Sequence, residues 1–177
     1  MNPAVSPQTG SRLLPLLVVA VLGAGAWAFF DTFSNIGYAP TQPIPFSHKI
    51  HAGTNKIPCL YCHSSAERSR HATIPAENVC MNCHTVVAID KPNVQKLTSL
   101  YQSGQSVGWV RVHRLPDHVY FPHKWHVAKG IACQQCHGEV QNMDVVKQVA
   151  PLKMGWCISC HRQNKQQATQ ECSACHM

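Results

Sequence analysis

The chain has 177 residues, a formal charge of +7 and a pI near 9.0, a length that suits one domain or two very small ones. Its basic residues form no cluster longer than a few positions and aromatics make up only 7%, a poor match to a nucleic-acid-binding surface. Ten cysteines in so short a chain are a large excess.

Residues 13–30 read LLPLLVVAVLGAGAWAFF, 18 residues without a charge between Arg12 and Asp31. This predicts a transmembrane helix at the lower end of the usual length. Ser11 can cap it and Pro15 is tolerated in a first turn. Trp27, Phe29 and Phe30 would form the aromatic belt at the far interface. By the positive-inside rule, residues 1–12 form a cytoplasmic N-terminus and residues 31–177 lie outside. The rival is a cleaved signal peptide, because Ala24-Gly25-Ala26 resembles a small-residue cleavage site; the retained anchor is the favoured reading. Residues 31–45 end in the proline-rich YAPTQPIP and predict an extended tether.

The cysteines then appear in five pairs, each spaced C-x-x-C and each followed by histidine. They are Cys59/Cys62 with His63, Cys80/Cys83 with His84, Cys133/Cys136 with His137, Cys157/Cys160 with His161, and Cys172/Cys175 with His176. No cysteine is left over. Zinc sites, redox dithiols and disulfide frameworks also use paired cysteines, but none requires a histidine next to every pair. C-x-x-C-H is the attachment signature of c-type haem. The two sulfurs add to the two vinyl groups of the porphyrin, and the adjacent histidine binds iron as proximal ligand. Five covalently bound haem c groups are therefore expected, and their propionates would add about ten negative charges that outweigh the formal +7.

Phe46-Ser47-His48-Lys49-Ile50-His51 precedes Cys59, and Phe121-Pro122-His123-Lys124-Trp125-His126 precedes Cys133. Both follow F-x-H-K-x-H, and in both a second pair follows the first, at Cys80 and at Cys157. This is an internal repeat. It predicts one dihaem module over 46–84 and a second over 113–177, the latter extended by a C-terminal fifth site. Residues 85–112 form a linker whose stretch Asn93–Tyr101 has the spacing of a short amphipathic helix, with Asn93 as cap and Gly104 as stop.

Seven histidines stand outside the C-x-x-C-H segments, more than five irons need as sixth ligands. His48 and His123 are the first candidates for distal ligand, then His51 and His126 one helical turn on. For the fifth, His113 is chosen, with His71 and His118 competing. Met154 is a candidate thioether ligand that more plainly packs against a ring. Residues 31–177 leave about 29 residues per haem, so the porphyrins must supply much of the buried apolar area. The expected fold is a mostly irregular, small-α domain with little sheet behind one N-terminal transmembrane helix. The apoprotein should be largely unfolded.

The F-x-H-K-x-H pattern followed by C-x-x-C-H resembles the class III multihaem cytochromes, in which the first histidine of the pair serves the adjacent haem and the second serves another. The stretches PFSHKIHAGTNKIPCLYCH, IPAENVCMNCH, WVRVHRLPDHVYFPHKWH and PLKMGWCISCHR, in that order, are similar to the pentahaem cytochrome subunits of bacterial alternative complex III. The resemblance covers most of residues 38–165. It implies an electron-transfer subunit, with no bond-making chemistry of its own, in a quinol-oxidising complex of the bacterial inner membrane, its haem domain on the periplasmic side. The implied partners are an iron–sulfur subunit, a monohaem cytochrome subunit, and a soluble cytochrome c or blue copper protein as acceptor. Two other functions compete. One is an autonomous anchored quinol dehydrogenase. The other is a multihaem reductase, which needs an open iron and usually a lysine in place of a proximal histidine, whereas all five segments here keep histidine.

Overall fold

The computed structural model describes residues 13–32 and 34–176, and the chain divides into two compact units, residues 1–34 and 35–177. The N-terminal segment 1–12, with Ser11 and Arg12, lies outside the described residues, as do the side chains of Phe30 and Asp31. In the first unit, α1 covers Leu13–Thr32. Its side chains are described over 13–29, and every one is exposed, Leu13 at 70% and Trp27 at 73%. The anchor expected at 13–30 thus falls on α1, but among the described residues no helix is long and apolar enough to cross a membrane.

The second unit contains short helices joined by irregular chain, with no strand among the described residues. The helices are α2 (Cys59–Cys62), α3 (Glu77–His84), α4 (Pro92–Gln102), α5 (His123–Ala128), α6 (Gln134–His137) and α7 (Met154–Gln163). A six-residue π-helix occupies Lys49–Thr54, and 3-10 turns occupy 64–67, 140–142 and 172–174. Most of these elements are far below the 12–15 residues at which an isolated helix becomes even marginal in water, so contacts beyond the local chain must hold them.

The side-chain core is small. Ile44, Met81, Leu97 and Val107 form one buried cluster, with Cys80, Leu100 and Trp109 packed against it. The helix expected over Asn93–Tyr101 runs over Pro92–Gln102. Pro92 at the first helical position takes the start, because it lacks an N–H that would be unpaired there and its φ is already helical; Lys91, extended, is the cap residue in place of Asn93. Gly104 (φ +69) closes the far end, with its N–H on the Tyr101 carbonyl at 3.1 Å and Gln105 N–H on the Leu100 carbonyl at 2.9 Å. Leu97 faces the core, and Glu77 at the first turn of α3 accepts the Val107 N–H at 2.7 Å, joining α3 to the chain beyond α4.

Residues 38–45, expected as a tether, lie along this unit rather than away from it. Gln42 pairs with both the N–H and the carbonyl of Val110 at 2.9 Å, Lys96 donates to the Pro43 carbonyl at 2.8 Å, and Ile44 is buried. Prolines in this stretch remove backbone donors, so side-chain amide and ammonium groups do the pairing. Gln148, fully buried, ties three strands of chain together. Its backbone pairs with Gly37 and Tyr38, and its side chain accepts from Arg114 N–H at 3.1 Å and donates to the Ala150 carbonyl at 2.9 Å.

Candidate functional site

All five C-x-x-C-H segments lie on or around helical turns. Cys59 and Cys62 bound α2; α3 carries Cys80, Cys83 and His84; α6 carries Cys136 and His137; α7 carries Cys157, Cys160 and His161; the last 3-10 turn starts at Cys172. One turn puts residues i and i+3 on the same face, which points both sulfurs of a pair to one side. All ten cysteines are unpaired thiols, and among the described residues no three His, Cys, Asp or Glu side chains gather as a metal cage.

The histidines face each other in pairs. His48 stands 6.5 Å from His63, ring centre to ring centre, with planes 6° apart. His123 stands 6.3 Å from His137 at 11°. His51 and His84 are 6.1 Å apart, as are His126 and His161. These gaps are too wide for ring contact. Two imidazoles that grip one metal from opposite sides at about 2.0–2.1 Å would hold their centres about 6.3 Å apart. The pairs therefore fit an iron between them, and the thiols beside one ring of each pair fit a covalently attached porphyrin.

The repeat seen in the sequence is also a repeat in space. Phe46 lies against His51 at 4.3 Å and edge-on to His48 at 4.8 Å; Phe121 lies against His126 at 4.4 Å and edge-on to His123 at 4.9 Å. His51 Nδ1 meets the Ser47 carbonyl at 2.8 Å, and His126 Nδ1 meets the Pro122 carbonyl at 3.2 Å. The repeats differ in winding, since the first motif enters a π-helix and the second the α-helix α5. They differ too at the leading histidine. His123 Nδ1 reaches the Arg70 carbonyl at 2.7 Å, whereas His48 Nδ1 is buried with no hydrogen-bond partner.

At the fifth segment the histidine that faces His176 is His118, one of the two that compete with His113 for the fifth distal place. His118 stands 5.4 Å from His176 with planes 18° apart. His113 instead lies 4.4 Å from His137 at 80°, with its Nε2 3.3 Å from His137 Nδ1. His71 stands beside Ser69, whose hydroxyl accepts its backbone N–H at 3.4 Å. Met154 opens α7 and is 61% exposed. No local pattern singles out His118. What brings it to the last segment is chain folding 58 residues long, marked by His176 Nδ1 on the His118 carbonyl at 3.2 Å and Tyr120 N–H on the Cys175 carbonyl at 2.7 Å. Arg70 is used inside the chain: its guanidinium donates to the Val119 carbonyl at 3.1 Å and lies 4.2 Å over the Tyr120 ring.

Burial sets the protonation of the site. It is the first cause holding His48 down to about 4, ahead of His63 and His51, and His137 down to about 4, ahead of His113, His123 and His63. Burial likewise lowers His113 and His126. Neutral imidazole is the form that binds a metal. The thiols of Cys62, Cys80, Cys133, Cys136 and Cys157 are pushed up, again by burial first.

The secondary causes of these thiol shifts trace which segments adjoin. Cys62 feels Cys83, and Cys80 feels Cys62. Cys133 feels Cys59, with a hydrogen bond between the two side chains. Cys136 feels Cys157 and Cys160, and Cys157 feels Cys175. Segment 59–63 thus adjoins 80–84 and 133–137, and segment 157–161 adjoins 133–137 and 172–176. Gly53, just before segment 59–63, comes close to Gln141, just after segment 133–137, and a Cβ on Gly53 would collide with the Gln141 carbonyl.

Residues 119–177 match the family described as cytochrome c7 and related cytochrome c. Over 122 residues the chain is 36% identical to the multihaem cytochrome c subunit of menaquinone reductase from Nitratidesulfovibrio vulgaris, which covers 68% of this chain and 55% of that protein. The chain thus spans about half the length of this relative. Together with the attachment segments and the facing imidazoles, these matches make the chain a member of the multihaem cytochrome c family, with haem c bound covalently.

Proposed function

We propose that this chain is an electron-transfer subunit with five haem c groups, each held by two cysteines and by two histidines. Cys59, Cys62, Cys80, Cys83, Cys133, Cys136, Cys157, Cys160, Cys172 and Cys175 are the attachment residues. His63, His84, His137, His161 and His176 are the proximal ligands. Opposite them stand His48, His51, His123, His126 and His118, so that His118 takes the distal place first given to His113. The observation that carries this reading is the set of imidazole pairs at 6.1–6.5 Å, joined by the closer pair at 5.4 Å.

Haem iron, once bound, supplies one-electron exchange. The residues do the rest. Two imidazoles per site would hold the iron between them and leave no room there for a substrate, which favours electron transfer over a reductase activity. His48 and His51, three residues apart, reach the segments at 63 and 84; His123 and His126 reach those at 137 and 161. One turn of chain thus fixes two neighbouring sites. We read the adjoining pairs of segments as a row and take its ends, 80–84 and 172–176, as the points of electron entry and exit.

The setting we propose is a quinol-oxidising complex of the type of alternative complex III, in the bacterial inner membrane with the haem domain on the periplasmic side. The relative's name, a menaquinone reductase subunit, supports the link to quinone. The uncharged run 13–30 and the exposed apolar side chains of α1 support a membrane anchor. An iron–sulfur subunit, a monohaem cytochrome subunit and a soluble cytochrome c or blue copper acceptor are the partners the resemblance implies. The decisive test is the intact mass of the mature chain, which should exceed the polypeptide by five haems. Fewer haems would remove the reading, and recovery from native membranes as a lone chain would remove the complex.

A further inference from the structure

We propose that His113 is a positioning residue for the iron site at 133–137: its Nε2 accepts the Nδ1–H of His137, fixes that ring's tautomer and orientation, and makes it a stronger electron donor to iron. This rests on the ligand role proposed for His137.

The contact is set apart by comparison within the molecule. The other four histidines of the C-x-x-C-H segments all end on backbone carbonyls. His63 Nδ1 meets Thr73 O at 2.7 Å, His84 meets Val87 O at 2.9 Å, His161 meets Thr169 O at 2.5 Å and His176 meets His118 O at 3.2 Å. His137 alone meets another imidazole, at 3.3 Å. The repeat provides the control. His63 and His137 are equivalent in sequence, and each faces the leading histidine of its own motif at nearly the same distance, 6.5 and 6.3 Å. The group behind the ring differs, a peptide carbonyl in one repeat and the His113 ring in the other; the facing rings differ as well, since His123 has the Arg70 carbonyl and His48 has no partner.

A histidine bound to metal through Nε2 keeps its proton on Nδ1, and the partner of that proton sets the ligand's basicity. The near-perpendicular rings, 80° apart, bring the edge of His113 to His137 rather than its face. His113 Nε2 must then be the acceptor, with its own proton on Nδ1. An imidazole nitrogen is a stronger base than an amide carbonyl, so it draws the His137 proton further and pushes more charge toward iron. Ferric iron gains most from that charge, so the contact lowers the potential of this site relative to the same site without His113. The same contact explains why a chain with surplus histidine keeps His113 so close to a proximal ligand.

The test uses the full chain with its haems, in His113→Leu and His113→Gln, each first checked for five haems by intact mass. In His113→Leu the stronger base is gone. One of the five midpoint potentials should rise by about tenfold in its reduction equilibrium, or about 59 mV for one electron, with the low-spin signals of all five sites retained. His113→Gln offers a carbonyl acceptor and should give a smaller rise. Unchanged potentials in a five-haem His113→Leu chain overturn the proposal. So does loss of one low-spin signal with carbon monoxide binding, which would make His113 an iron ligand itself. If His113→Leu fails to mature, the same readings on His113→Gln decide. A wild-type chain without haem at Cys133 and Cys136 would instead overturn the ligand role of His137.

Discussion

The imidazole of His118 lies 5.4 Å from that of His176 and nearly parallel to it, while the backbone carbonyl of the same His118 stands 3.2 Å from His176 Nδ1. One residue thus meets the last C-x-x-C-H histidine with both its ring and its main chain. Substituting His118→Ala should convert one haem of the five to high spin and open it to carbon monoxide, with the haem count unchanged. His71→Ala should leave all five low-spin. Magnetic circular dichroism of the two variants reads both outcomes, and a low-spin His118→Ala protein would remove His118 from the ligand set.

The buried imidazoles predict a pH limit. A histidine released from the fold takes up a proton below its ordinary 6.5, whereas His48 and His137 in the fold resist protonation until about 4. Falling pH through this window favours the released, protonated ring, so stability associated with these two positions is intact above 6.5 and lost as pH drops through about 4. Iron competes for the same nitrogen and can only lower the limit. The sites of His48 and His137 should keep their low-spin bands from neutral pH down to about 4. An acid titration followed in the visible region checks this, and conversion of every haem above pH 6 would contradict it.

Gly53 is required by the close approach of two backbones. A Cβ there would run into the carbonyl of Gln141, with its carbonyl carbon 3.4 Å away, and backbone cannot rotate aside as a side chain can. Gly53→Ala should cost about 1–3 kcal/mol, the usual range for overpacking. Gly108 has nothing within 4 Å of an added Cβ, so Gly108→Ala should fall within about 0.5 kcal/mol of wild type. Denaturant melting of the two holoproteins separates them.

Gln148 is the one large side chain that is fully buried among the described residues. Replacing it with leucine keeps the volume but removes the acceptor of Arg114 N–H and the donor to the Ala150 carbonyl. A buried polar group left unpaired costs about 1–3 kcal/mol, so Gln148→Leu should melt well below wild type. A change within about 0.5 kcal/mol would mean that water replaces both partners.

Much of the site could be read from residue order, because its chemistry is local. Two sulfurs must span two vinyl groups and a histidine must follow them, so each attachment segment is written in five consecutive residues such as Cys59 to His63. The F-x-H-K-x-H repeat is local as well: the phenylalanine and its two histidines sit within one turn, and their ring geometry recurs at Phe46 and Phe121. Helix α4 was legible for the same reason, its apolar spacing and Gly104 being short-range signals, although Pro92 rather than Asn93 sets its start.

What residue order alone determined, then, is where the paired sulfurs and the adjacent imidazole of each segment stand, because the C-x-x-C-H spacing acts over a handful of positions. Only the tertiary structure decided which imidazole faces which segment across long stretches of chain. Residues 113–120 are drawn back by Arg70 on Val119 and Tyr120 and by Cys175 on Tyr120, and that return brings His118 to His176 and His113 to His137. The adjoining of the segments has the same origin, for contacts such as Cys59 with Cys133 join residues far apart in the chain. Long-range contacts onto backbone carbonyls, such as Arg70 on Val119 and Tyr120 on Cys175, carry much of that information, and every residue has a carbonyl, so side-chain identity does not announce them.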